Sequence, residues 1–279
     1  MLPVLLDLKV IKIYTFGIFL VLAFFWSTYL LWRNIRLTAY KEEDIFDGLF
    51  VALAGSLFLG RLVYVMLNFK DFGLDILKFI LINGYPGISL FGSLIGGFIT
   101  LYLFFAVKKI KFIEAIDYFI SPLFLAIAFG KLGDFFSGGE GGGRFPGWLH
   151  ATSLYESVFF FLAVYIANKL LFQIRREKHS PGILFYFFWW YVAAVYFVFD
   201  KLKLNHLYFL GQSFNGRVAE LILLTTTVYF LYYFKDPIGK KIVFVTNFFK
   251  HNGQKTFQKI RFGNKKPTGT RKKADAHTD

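Results

Sequence analysis

Cysteine is absent from all 279 residues. That excludes disulfides, thiolate metal sites, iron–sulfur centres and a cysteine nucleophile belonging to the protein itself. Polar surface is scarce too: 56% of residues are hydrophobic and 22% aromatic, with a mean hydropathy of +0.51. A soluble chain of this length needs far more polar surface, so the composition points to a membrane-embedded class. No internal repeat stands out, which leaves an inverted-repeat transporter unsupported. Acidic residues are few, 18 against 32 Lys and Arg, for a formal charge of +14.

The surplus charge is uneven. Twelve of the 32 basic residues follow Phe234, against 3 acids. That stretch interleaves lysines with Phe and Ile. It reads as a basic juxtamembrane tail attracted to anionic lipid, at roughly 1 kcal/mol per basic residue near the surface. A tail that merely fixes topology is the plain alternative. Nucleic-acid binding is not expected. The division expected is a transmembrane domain over 1–235 and a basic tail over 236–279.

A helix needs roughly 20 apolar residues to span a bilayer. Seven stretches approach that, at about 13–32, 45–68, 87–107, 115–132, 151–174, 181–199 and 216–234. The fold expected is therefore all-α, a polytopic membrane protein of about seven transmembrane helices. The opening "MLPVLLDLKVIKIY" carries charges where an apolar signal core would run, so the first apolar run is expected to be a true span. Glycines in "ALAGSLFLGRL" and "FGSLIGGF" suit close helix contacts in lipid. Short basic loops hold Arg33, Arg36 and Lys41, then Lys108, Lys109 and Lys111, then Arg175, Arg176 and Lys178. The positive-inside rule puts these loops and the C-terminus in the cytoplasm and the N-terminus outside.

Ionisable groups inside apolar runs are costly, about 2.5–3.5 kcal/mol each near the bilayer centre on insertion scales, and usually face a protein-lined cavity. Arg61 lies well inside the second run. The stretch "FGKLGDFFSGGEGGGRFPGWLHATSLYE", residues 129–156, carries Lys131, Asp134, Glu140, Arg144, His150 and Glu156. Lys131 and Asp134, three apart, could pair on one helix face. "GGEGGGR" allows backbone N–H groups to approach an anion closely, although a plain external loop has the same composition. Glu156, near a helix start, is favourable for dipole reasons alone. Tyr14 and Tyr155 are possible pocket residues, with an interfacial anchor as the simpler role.

The segment "DYFISPLFLAIAFGKLGDFFSGGE" followed by "LHATSLYE" resembles the signature of the prolipoprotein diacylglyceryl transferases. That family reads D-F-I-x-P, then G-R-L-G-N-F-I-N-G-E, then H-P-x-Q-L-Y-E. "FLGRLVYVMLNF" resembles its G-G-R-x-G-Y-V, "GISLFGSLIGG" its G-M-S-F-H-G-G-L-I-G, and "GQSFNGRVAELIL" the start of its last span. Departures accompany the match. The family's Arg is Lys131, its Asn is Asp134, and one extra residue precedes Glu140. The His of H-G-G is Phe91, and Ala151 and Ser153 replace a Pro and a Gln. The F-R-x-P-D motif is not recognisable in "VFDKLKLN"; Lys201, Lys203 or Arg217 are the available stand-ins.

The resemblance implies a phosphatidylglycerol–prolipoprotein diacylglyceryl transferase of the bacterial plasma (inner) membrane. Such an enzyme moves a diacylglyceryl group from phosphatidylglycerol to the lipobox cysteine thiol of a secreted precursor, and needs neither metal nor cofactor. On that reading Lys131 and Arg144 hold the phosphate, with Arg61 beside them or as structural support. His150 or Glu140 is the base, and Asp134 orients or neutralises Lys131. A non-catalytic lipid- or lipoprotein-binding descendant of the same fold is the alternative, and a small-solute transporter a more distant one.

Overall fold

The structure is a computed structural model that describes residues 4–7, 12–36, 38–73, 75–81, 84–138, 151–203, 207–209 and 211–235. The basic tail, 236–279, and the loop carrying Glu140, Arg144 and His150 lie outside the described residues.

Two short antiparallel strands, β1 (Val4–Asp7) and β2 (Lys12–Tyr14), lead into α1 (Thr15–Ile35). Then come α2 (Glu42–Leu67), the short α3 (Phe69–Phe72) and α4 (Ile76–Ile80), and α5 (Leu90–Val107). The long helices α6 (Phe112–Ser137), α7 (Thr152–Arg175) and α8 (Ile183–Phe199) follow. A 3₁₀ turn, Asp200–Leu202, and a two-stranded ribbon, β3 (Tyr208–Phe209) with β4 (Gln212–Ser213), lead to α9 (Phe214–Tyr233). The chain divides into two compact units, Met1–Thr227 and Val228–Asp279. In the second, Tyr229 stacks on Tyr233 at 6.1 Å in the last turns of α9.

Among the described residues, six helices are long and apolar enough to cross a membrane: α1, α2, α5, α6, α7 and α8 with its 3₁₀ extension. The protein is an all-α, multi-pass membrane protein. The seventh expected stretch does fold as a helix, α9, but does not meet that apolar standard. Arg217 and Glu220 near its start and the run Thr225–Thr227 dilute its hydropathy.

α2 packs along α5, and α6 packs against α1, α7 and α8. The α2–α5 seam is built on glycine. A methyl carbon on Gly96 would lie 2.6 Å from the Gly55 carbonyl oxygen, and one on Gly55 would lie 2.3 Å from Thr100. Small residues let backbones approach where lipid supplies no hydrophobic drive between helices. Phenylalanine fills the other half: Phe124 meets Phe160, Phe188 and Tyr191 at 6.2, 5.0 and 5.6 Å. Between α1, α2, α5 and α6 runs an apolar cavity of about 290 Å³, with Phe24, Ser27, Ser56, Leu101 and Phe119 among its walls.

Several polar groups inside the bundle are paired, as a bilayer favours. Pro122 lies within α6 and cannot donate to the Tyr118 carbonyl; the Asn34 amide donates to it instead, at 3.4 Å. Asp117 accepts from the backbone N–H groups of Gly182 at 2.6 Å and Phe185 at 3.3 Å. A carboxylate of α6 thereby supplies the cap that the first turn of α8 lacks.

Candidate active site

α6 extends beyond its expected end to Ser137, so Lys131 and Asp134 belong to its last two turns. α7 starts at Thr152, and α8 ends at Phe199. The chain alternates direction, so these three ends gather at one end of the bundle, opposite the three basic loops.

Glu156 is the centre of the arrangement. It is fully buried, with Lys131 Nζ 2.8 Å from Oε2 and Lys203 Nζ 2.8 Å from Oε1. Two cations thus share one carboxylate, one on each oxygen. Lys203 is buried just past the 3₁₀ turn, and Lys131 is mostly buried. Both ammonium groups also lie against the ring of Tyr196, at 4.3 Å for Lys203 and 5.4 Å for Lys131. A desolvated cation–π contact contributes about 2 kcal/mol. The ring of Phe91, fully buried at the start of α5, stands edge-on to Tyr196 at 5.6 Å.

Two hydroxyl–carboxylate pairs flank this cluster. Ser153 donates to Asp134 Oδ2 at 2.6 Å, joining α6 to α7. Ser213 donates to Asp200 Oδ2 at 2.6 Å and accepts from the Gly216 N–H, joining the end of α8 to the start of α9. Each carboxylate lies three residues from a lysine, Asp134 from Lys131 and Asp200 from Lys203.

The remaining candidates fall elsewhere. Arg61 is buried in α2. Its Nε donates to the Phe79 carbonyl at 3.0 Å, Nη1 to Gly87 at 2.7 Å and Nη2 to Lys78 at 2.7 Å. Arg217 is exposed on α9, 3.0 Å from Glu220 and hydrogen-bonded to Gln212. Lys201 is exposed, its Nζ 5.6 Å from the Phe197 ring. Tyr14 is exposed, and Tyr155 lies 6.2 Å from the Phe199 ring. Glu140, Arg144 and His150 lie outside the described residues, as noted.

Two features exceed what the sequence offers. Lys203 is only one of three possible stand-ins by sequence, and its pairing with Glu156 across 47 positions has no local signature. Tyr196 carries no sequence signal beyond membership of an aromatic run. The one available hint was position: Tyr196 and Lys203 are seven apart, close to two helical turns.

Chemically, the cluster is an anion site in a low-dielectric setting. Each ammonium carries a full charge and donors of the kind that hold a phosphate oxygen. A carboxylate that fixes both cations at one spot removes the entropy cost of gathering them.

Comparison with known proteins agrees with this chemistry. The family model for prolipoprotein diacylglyceryl transferase matches residues 3–233. A phosphatidylglycerol–prolipoprotein diacylglyceryl transferase of Clostridium tetani is 30% identical over 199 residues, covering 65% of this chain and 77% of its own. Its counterpart in Clostridioides difficile is 26% identical over 221 residues, 76% of this chain and 87% of that one. That of Clostridium novyi is 25% identical over 241 residues, 80% and 91%. With a match over most of the chain and a buried cationic site at one end of its apolar helices, the protein belongs to the prolipoprotein diacylglyceryl transferase family.

Proposed function

We propose that this chain transfers a diacylglyceryl group from phosphatidylglycerol to the lipobox cysteine thiol of a lipoprotein precursor, at the outer side of a bacterial plasma membrane. The observation that carries this reading is the pair Lys131 and Lys203 on Glu156, within an apolar bundle of the right family. The N-terminus lies outside and the basic tail, 236–279, in the cytoplasm, because the basic loops mark the opposite end from the lysine site.

The thiol sulfur forms a bond to the terminal glyceryl carbon of the lipid, and the bond from that carbon to the phosphate oxygen breaks. Glycerol phosphate departs and the thiol proton is released. The phosphate starts as a singly charged diester and leaves as a monoester, so negative charge grows on it during the step. Lys131 and Lys203, with Arg144 as a third cation, meet that growing charge; stabilisation of this kind is commonly the largest catalytic contribution. A lysine is a point charge without the bidentate fork of arginine; Glu156 and Tyr196 supply the fixed geometry instead. His150 or Glu140 takes the thiol proton, a thiol having an ordinary pKa of about 8.5. Asp134, held by Ser153, keeps the end of α6 against α7 and orients Lys131 from one turn away.

Phe91 favours a second reading, a descendant that binds the lipid without transfer, because its buried ring stands where the family pattern has a proton-carrying histidine. One experiment separates the two. Purified protein in phosphatidylglycerol vesicles is given a reduced lipobox peptide, and the peptide mass is followed. A diacylglyceryl mass gain, lost in Lys131→Ala and Lys203→Ala, supports the transferase. No gain from folded, lipid-binding protein overturns it, and recovery in Phe91→His would then trace the silence to that side chain.

A further inference from the structure

We propose that α4 and the residue after it, 76–81, form a re-entrant segment seated among the acyl chains of the leaflet on the lysine side, with Arg61 as the strut that makes this possible. The segment connects two spanning helices and would ordinarily be counted as an external loop.

Its depth follows from what it touches. The Phe79 ring meets Phe58 at 5.9 Å, and Phe58 lies nine residues before the end of α2, about 13 Å along its axis at 1.5 Å per residue. The returning chain is tied at the same level: the Ser89 N–H donates to the Gly60 carbonyl at 3.0 Å. α2 therefore projects past the start of α5, and α4 fills the notch beside it. Phe58 is itself an exposed, lipid-facing residue of α2.

Its surface has the chemistry of a lipid contact. Ile76, Leu77, Ile80 and Leu81 are 73%, 68%, 65% and 53% exposed. Four large aliphatic groups within six positions would be a liability in water, but they continue the exposed apolar face of α2 that holds Phe58 and Met66. The acids of the segment, Asp71 and Asp75, precede α4, and the Asp75 side chain caps it by accepting from the Leu77 N–H. Lys78, the one cation in α4, turns its ammonium back to the Asp71 carbonyl at 3.2 Å and against the Tyr85 ring, the behaviour of a snorkelling lysine.

Non-helical backbone is tolerated at membrane depth only where protein satisfies its polar groups. A five-residue helix leaves its last carbonyls without helical partners. Arg61 supplies donors to the Lys78 and Phe79 carbonyls near the end of α4, and to that of Gly87 on the returning chain. Its guanidinium lies against two rings that meet edge-on, Phe72 at 5.1 Å and Tyr64 at 5.7 Å. Gly87 has φ +144, and a methyl carbon there would lie 2.0 Å from the Tyr64 ring, so the return path is closed around this clamp. The occupant of the outer face is the hydrocarbon of surrounding lipid; a protein partner or bulk water is the outcome that the test would have to reveal instead.

The absence of cysteine makes the test direct. Single variants Ile76→Cys, Leu77→Cys, Ile80→Cys and the exposed reference Asp71→Cys are labelled with a nitroxide in the full chain. They are then reconstituted in vesicles of phosphatidylglycerol and phosphatidylcholine. Collision with oxygen, which concentrates in hydrocarbon, is compared with collision with a water-soluble nickel chelate. Labels at 76, 77 and 80 are expected to favour oxygen and exclude nickel, with the reverse at 71. Nickel access at 76, 77 and 80 equal to that at 71 overturns the proposal, as does shielding from both probes, which would mean a protein partner. In folded Arg61→Met protein, nickel access at position 80 is expected to rise severalfold; an unchanged depth removes Arg61 from the role of strut.

Discussion

In the half of the molecule built by α2 and α5, the buried cation Arg61 is matched by three neutral carbonyls and two rings. In the half built by α6, α7 and α8, Lys131 and Lys203 both meet the carboxylate of Glu156 and the ring of Tyr196. Both lie toward the same end of the bundle. Carbonyls hold Arg61 through geometry alone and tie it to a connecting segment. A carboxylate shared by two lysines gathers two cations at one point, an arrangement that suits an anionic ligand. Intramembrane charge thus marks a site only when its partners are also read.

The comparison is broken most severely by Glu156→Gln, which strips the counter-charge from two buried lysines. Removing one partner of a buried ion pair costs about 3–5 kcal/mol, so a large fall in thermal midpoint in detergent is expected, together with loss of transfer. Glu156→Gln with Lys203→Met should recover part of that stability and none of the activity. Recovery of both would show that Lys203 is dispensable. On the other half, Gly96→Val drives a side chain into the Gly55 carbonyl and the Leu59 side chain. Overpacking typically costs about 1–3 kcal/mol, visible as a lower midpoint; an unchanged midpoint would mean that the α2–α5 seam is looser than its glycines imply. At Tyr196 the effect expected is on substrate affinity. Tyr196→Leu removes the shared ring, about 2 kcal/mol for desolvated contacts, and should raise the KM for phosphatidylglycerol more than it lowers kcat. Tyr196→Phe keeps the ring and should restore both; failure to do so would assign the work to the hydroxyl.

Much of the first half was legible in sequence, because small residues within an apolar run have one ready explanation. Some helix ends were legible also, with α7 running over Thr152–Arg175 against an expected 151–174, whereas α6 runs five residues past its expected end to Ser137. Partnerships were not. Arg61 reaches residues 17, 18 and 26 positions away, and Asp117 caps a helix 65 positions on; neither leaves a periodic trace. Glu156 shows why local rules fall short: a helix dipole suffices to explain a glutamate in the first turns, and nothing nearby reveals two lysines converging on it. Lys131 is 25 positions before it and Lys203 47 after. Of the seven apolar stretches, six fold as helices long and apolar enough to cross a membrane, and the seventh folds as α9, a helix of 20 residues.

α6 is fastened at intervals along its length. Asp117 holds the start of α8, Ser121 donates to Asn168 of α7 at 2.9 Å, the Ala128 carbonyl accepts from Ser157 of α7 at 2.9 Å, and Lys131 grips Glu156. From Asp117 to Lys131 is about 21 Å of helix at 1.5 Å per residue. A beam riveted at both ends and twice between cannot slide against its neighbours by one rivet at a time. These four contacts tie α6 to α7 and α8 along most of its length. None of these four contacts crosses the apolar cavity that α6 shares with α1, α2 and α5, so acyl chains entering there would have none of them to break.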